Sequence, residues 1–117
     1  MTHEIQIIQR DWIIPHFHRM RATMAQIGIE AAQAFGVAVA DIYSPNRLHP
    51  VAHARQAAMW IARMKACHSQ SAIGRHFGRD QTTVIHAIRA VNKRLADDPE
   101  FELGMRLLTA RIAGGAV

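Results

Sequence analysis

Apolar side chains recur at steps of three and four along nearly the whole chain, and nowhere at the clean step of two that a half-buried strand requires. That periodicity predicts an all-α protein. Ile5, Ile8 and Trp12 open the pattern, and Pro15 breaks it or starts the next helix. From Phe17 it resumes as Met20, Met24, Ile27, Ala31 and Ala34, and Gly36 closes it. Residues 37–43 predict a small helix, ended by the turn Ser44-Pro45-Asn46. Pro50 opens a longer helix with Val51, Ala54, Ala58, Ile61 and Ala62 on its buried face. Its other faces carry His53, Arg55, Gln56, Trp60 and Arg63, and Cys67-His68 ends it. A short helix with Ile73 and Phe77 follows, then one with Val84, Ile88, Val91 and Leu95 inward. Asp97-Asp98-Pro99 stops that helix, and a last one carries Phe101, Met105, Leu108 and Ile112.

A length of 117 residues suits one compact domain with at most an appended helix. The division expected is an N-terminal helical extension over residues 1–30, a core domain over 31–112 and a flexible tail over 113–117. No apolar run approaches the roughly 20 residues that span a bilayer, and no signal-peptide pattern opens the sequence. The single cysteine, Cys67, excludes an intrachain disulfide. A cytoplasmic location is therefore expected, with no membrane partner.

Charge is distributed unevenly. Residues 44–96 hold nine Lys and Arg against one acid, Asp80, a net +8 in a chain whose total is only +5. The remainder thus carries −3. A cationic half beside a mildly acidic one is the electrostatic footprint of a nucleic-acid binder, though solvated arginines on helix faces give the same count.

The function-bearing unit is a short helix, a tight glycine turn and a second helix. Ser69 is a plausible N-cap for the first, Gly78 permits the reversal, and Asp80 caps the second. With Val84 and Ile88 buried, the second helix presents Asp80, Gln81, Thr82 and Thr83 outward at its N-terminal end. This is helix-turn-helix geometry, in which that end enters the major groove. Gln pairs bidentately with adenine, Asp accepts from cytosine N4, and Thr methyls pack on thymine methyls. The plainer roles are also available: Asp80 as a cap alone, Thr82 and Thr83 as ordinary first-turn residues, Arg75, Arg79, Arg89 and Lys93 as solvated charges.

Residues 40–91 resemble the C-terminal DNA-binding domain (domain IV) of DnaA, the bacterial replication initiator. The most telling piece is Gly78-Arg79-Asp80-Gln81-Thr82-Thr83-Val84-Ile85-His86-Ala87, close to the family's G-R-D-H-T-T-V-x-H-A. Ala54-Arg55-Gln56-Ala57-Ala58-Met59 resembles its P-R-Q-x-A-M, and Ile73-Gly74-Arg75-His76-Phe77-Gly78 its I-G-x-x-F-G. The resemblance implies an all-α, TrpR-like or DnaA domain IV-like helix-turn-helix bundle that binds double-stranded DNA at a DnaA-box-like site. It implies an arginine in the minor groove at Arg47 and base reading at Asp80, Thr82 and Thr83. Arg79 and Arg55 would hold phosphate or orient the motif, and Ser69 and Ser71 would lie near the backbone or a thymine methyl. Arg75, Gln81 and His86 complete the expected DNA-binding set. The departures are Gln81 for a histidine, Ser71 for a proline, one glycine fewer before Arg79, and Pro45-Asn46 for two basic loop residues.

The chain has no Gly-x-x-x-x-Gly-Lys-Ser/Thr loop, so no ATPase is expected. Eight histidines include His49 and His53 four apart and His16 and His18 two apart, yet no Cys or acid accompanies either pair at ligand spacing. No cofactor, metal or catalytic activity is expected. The rival reading is an interaction protein, a dimeric adaptor or a regulator of phage or mobile-element type, using the N-terminal apolar stripe. Its partners would be a second copy, the replication initiator or other replication proteins.

Overall fold

The computed structural model describes residues 20–115, and every regular element among them is an α-helix. We number these α1 (Met24–Phe35), α2 (Val39–Tyr43), α3 (His49–Met64), α4 (Gln70–Phe77), α5 (Gln81–Asp97) and α6 (Pro99–Gly115). The all-α helix-turn-helix bundle read from the sequence is the fold observed. The stripe of Ile5, Ile8 and Trp12, with Pro15, Phe17 and the His16/His18 pair, lies outside the described residues.

Helix α3 is the axle of the bundle. Val51, Ala54, Arg55, Ala57, Ala58, Met59, Trp60, Ile61 and Ala62 are all buried along it. The small alanines let α1, α2, α4 and α5 approach closely. The sequence reading put Trp60 and Arg55 on outward faces, and both are instead inside. A helix covered on nearly every side does not show its buried face as one stripe. Trp60 is fully buried because its indole N–H finds a partner, donating to Asn92 Oδ1 at 2.8 Å.

Helix α1 starts later than the apolar stripe suggests. Thr23 caps it reciprocally with Gln26: the Gln26 N–H donates to Thr23 Oγ1 at 3.1 Å, and the Thr23 N–H to Gln26 Oε1 at 3.0 Å. Its inward face is Ile27, Gly28, Ala31 and Ala32, whereas Ala34 is exposed. The helix runs unbroken through residues 30 and 31, where the sequence reading divided extension from core. Helix α6 closes the bundle over α1 and α5 with Met105, Leu108 and Ile112, and Arg111 pairs with Glu30 of α1 at 3.2 Å. It continues through residues 113–115, part of the expected tail. Asp98 joins α5 to α6, its Oδ1 accepting from the Glu100 and Phe101 N–H groups.

The chain leaves α3 through Cys67, the one non-glycine residue with positive φ (59°) among those described. Around it, the Ala66 N–H reaches the Ile61 carbonyl and the His68 N–H the Ala62 carbonyl. A Cβ at this φ is crowded by its own backbone. Cys67 is exposed, so removing its thiol forfeits no packing. Cys67→Gly should therefore gain about 0.5–1 kcal/mol, seen as a higher urea midpoint at unchanged slope. A lower midpoint would show that the left-handed turn carries no strain.

Candidate nucleic-acid interface

The helix-turn-helix is built from caps inward. Ser69 Oγ accepts from the Ala72 N–H at 3.1 Å and starts α4. Gly78, at φ 67°, ends it in the left-handed region with its N–H on the Gly74 carbonyl. The Arg79 N–H converges on the same carbonyl at 2.9 Å, which folds the chain back at once. Asp80 then caps α5, its Oδ1 accepting from the Thr83 N–H at 2.8 Å. That bond holds the Asp80 carboxyl below the usual carboxylate range, helped by the Thr83 side chain and weakly by nearby His86. Asp80 is thus an ionised acceptor at neutral pH.

Buried Val84, Ala87 and Ile88 fix which way α5 faces, leaving Asp80, Gln81, Thr82, Thr83 and His86 exposed. The starts of α4 and α5 touch through side chains: Gln81 Nε2 donates to Gln70 Oε1 at 3.2 Å, and Ser71 Oγ to Gln81 Oε1 at 3.4 Å. Gln81, read as a base-pairing residue, is thus engaged with α4 at the surface of the free protein. Ser69 and Ser71 are both exposed beside it.

Arg47 lies 33 residues before Asp80 in the chain yet reaches the same face. It is exposed on the loop between α2 and α3, a loop shaped by its own side chains. Ser44 Oγ donates to the Asp41 carbonyl and accepts from the Asn46 N–H, and Asn46 Oδ1 accepts from the Leu48 N–H. An open groove joins this loop to the recognition turn, lined by Tyr43, Pro45, Arg47, Arg79, Asp80 and Thr83 among others. Arg75 and His86 are exposed on α4 and α5 but do not line it.

Arg55 corrects the sequence reading. It is only 7% exposed, and its guanidinium faces backbone: Nε donates to the Ile42 carbonyl at 2.6 Å, and Nη2 to the carbonyls of Asp41, Ser44 and Asn46 at 3.0 Å. Of the two roles offered for it, orienting the motif is the one these four bonds support, and the side chain also lines the groove. Burial, and then the neighbouring Arg79 charge, lower its pKa. Arg79 is half-buried, with Nη1 on the Phe77 carbonyl at 2.8 Å and Nη2 on the Ser44 carbonyl at 2.6 Å.

A supporting stack escaped the sequence reading. Tyr43 lies parallel to Phe77 at 5.3 Å between ring centroids and hydrogen-bonds His76 Nε2 at 2.7 Å, docking α2 onto α4. Burial raises the Tyr43 pKa, and burial followed by the His68 charge lowers that of His76. Only the identity of Tyr43 hinted at this, as an aromatic with a polar tip in a five-residue helix.

The model of the family described as the bacterial dnaA protein helix-turn-helix matches residues 24–91, from the start of α1 to the middle of α5. The chain belongs to that DnaA helix-turn-helix family. It is 36% identical over 114 residues to the chromosomal replication initiator protein DnaA of Caulobacter sp. strain K31, covering 95% of this chain and 23% of that protein. To the DnaA of Anaplasma marginale it is 39% identical over 92 residues, covering 78% of this chain and 19% of that one. The chain therefore spans under a quarter of the length of these DnaA proteins. A crystal structure of a DNA replication initiation factor superposes with a TM-score of 0.73 at 28% identity, covering 99% of this chain and 32% of that one. The matched DnaA family segment contains the whole groove, from Tyr43 to Thr83.

Proposed function

We propose that this chain binds double-stranded DNA in a sequence-specific manner at DnaA-box-like sites and acts in the regulation of replication initiation, without hydrolysing nucleotide. The observation that carries this is the groove that puts loop residue Arg47 on one face with the exposed Asp80 and Thr83 of a helix-turn-helix. In this reading the first turn of α5 lies in the major groove, where Asp80, Gln81, Thr82 and Thr83 meet base edges. Arg47 enters the adjoining minor groove, where an A·T-rich tract concentrates negative potential. Ser69 and Ser71 at the start of α4, with Arg75 and His86 flanking, contact backbone. Sharing the fold of the initiator's helix-turn-helix, the chain would compete with the initiator for its boxes.

Binding to a box-containing duplex and to a scrambled one, across salt concentrations and without nucleotide, tests this. Each phosphate neutralised contributes about 0.9 to the log–log salt slope, so affinity should fall steeply with salt. Thr82→Ala and Thr83→Val should each lose about 1–3 kcal/mol of discrimination while leaving binding to the scrambled duplex unchanged. Equal affinity of the unaltered protein for both duplexes, or a need for ATP, would rule the reading out.

A further inference from the structure

A reader of both grooves needs its two contact elements in a fixed relation, yet Arg47 and Thr83 sit on separate elements far apart in sequence. Beside the Tyr43 stack that docks α2 onto α4, a hydrogen-bonded connection between loop and recognition turn converges on one carbonyl oxygen. Ser44 opens the loop that carries Arg47, and its carbonyl accepts from Arg79 Nη2 at 2.6 Å and from Arg55 Nη2 at 3.0 Å. Arg79 belongs to the recognition turn, between Gly78 and the cap Asp80, and its Nη1 is fastened to that turn at the Phe77 carbonyl. Its planar fork thus spans two backbone segments, one on each side of the groove. We infer that Arg79 is a positioning residue that sets the register between the minor-groove loop and the recognition helix, an inference that rests on the DNA-reading function proposed above.

The competing role for Arg79 is a phosphate anchor, and the two differ in what a substitution removes. A phosphate anchor supplies charge and carries no sequence information, so its loss weakens every duplex alike and lowers the salt slope by about 0.9. A positioning fork supplies geometry. Lysine keeps the charge but has a single ammonium centre, which cannot bridge the Phe77 and Ser44 carbonyls as a planar guanidinium does. Arg79→Lys therefore separates the two roles, and keeps a cation in the turn if Arg79→Ala proves too unstable to study.

The experiment measures affinity of the full chain for three duplexes: a box with an A·T flank beside the loop, the same box with a G·C flank, and a scrambled box with the A·T flank. The unaltered protein should favour the A·T flank by about tenfold, the scale of one lost base-pair preference. In Arg79→Lys that flank ratio should fall below about twofold, with box-over-scrambled discrimination and salt slope kept. In the free protein, exchange of the Asn46 and Leu48 amides, which the loop's own side chains hold, should accelerate while amides in the middle of α3 do not change. A retained flank ratio, a uniform loss on all three duplexes, or unchanged loop exchange would each overturn the positioning role. If the unaltered protein ignores the box sequence, the DNA-reading function falls, and the loop-exchange measurement still decides whether Arg79 holds the loop.

Discussion

Arg55→Leu should cost about 3–5 kcal/mol of folding stability, a large part of the 5–15 kcal/mol that a domain of this size possesses. The reason lies in α2, which has only five residues and so cannot satisfy its own C-terminal carbonyls within the helix. Arg55 does so from the side, taking the Asp41 and Ile42 carbonyls and then those of Ser44 and Asn46. Desolvating a guanidinium is costly, but here the cation sits at the negative end of a helix and its Nε and Nη2 donors are occupied. Leucine would remove that cost and take their arginine donor from the buried Ile42 carbonyl and the part-buried Asn46 carbonyl, at about 1–3 kcal/mol each when unrelieved. The Ser44 carbonyl keeps Arg79, and the Asp41 carbonyl keeps Ser44. The second effect wins because the Ile42 bond is buried and the aliphatic stem of Arg55 loses its packing as well. Arg55→Lys should recover less than half of the loss, since one ammonium cannot serve acceptors from Ile42 to Asn46. Urea unfolding measures both, as a lower midpoint at constant slope. A loss below 1 kcal/mol for leucine would mean that water replaces the arginine freely and that the clamp is ornamental.

The difference between Arg55 and Asp80 shows what a sequence discloses. Asp80 was legible because its partner is local: an N-cap acts on the N–H three residues on, so residue type and position suffice. The same holds for Ser69, for Gly78, and for the inner face of α5, where Val84, Ile88, Val91 and Leu95 are all buried as the three-four steps require. Arg55 was not legible in that way. Its acceptors are backbone carbonyls, which every residue owns, and no pattern marks the four that converge on it. Trp60 escaped for a related reason, since its partner Asn92 lies 32 residues away on another helix. Ala34 keeps the three-four step from Ile27 and Ala31 yet is exposed, because it lies in the last turn of α1, which ends at Phe35 and Gly36. The candidate residues could be named from the motif, whereas the geometry that joins them could not. Arg47, Asp80 and Thr83 could be named from the motif, but their common groove depends on Ser44, whose contribution is a carbonyl oxygen.

Gly74→Ala should be the most damaging single-methyl change in the helix-turn-helix, costing about 3 kcal/mol and, with it, most discrimination between box and scrambled duplex. A Cβ at Gly74 would stand 2.6 Å from the Arg79 carbonyl oxygen and 3.6 Å from the Asp80 carbonyl carbon. Both neighbours are backbone, so no rotamer change relieves the clash and the two helices must separate. Forced overpacking costs about 1–3 kcal/mol in general, and a rigid obstacle puts this case at the upper end. The shift would also stretch the Gly78 and Arg79 N–H bonds to the Gly74 carbonyl, which define the turn that aims α5. Gly78 makes an instructive control. It is the residue with the unusual backbone, φ 67°, yet a Cβ there meets nothing within 4 Å. Gly78→Ala should therefore cost only the left-handed penalty of about 1–2 kcal/mol. Gly104, inside α6 with open space around it, should gain about 0.5–1 kcal/mol on the same change. The expected order of urea midpoints is thus Gly104→Ala, unaltered protein, Gly78→Ala, Gly74→Ala, from most to least stable. If Gly78→Ala proved the worse of the two turn variants, backbone conformation rather than helix approach would control the motif, and the close contact at Gly74 would not be what holds α4 against α5.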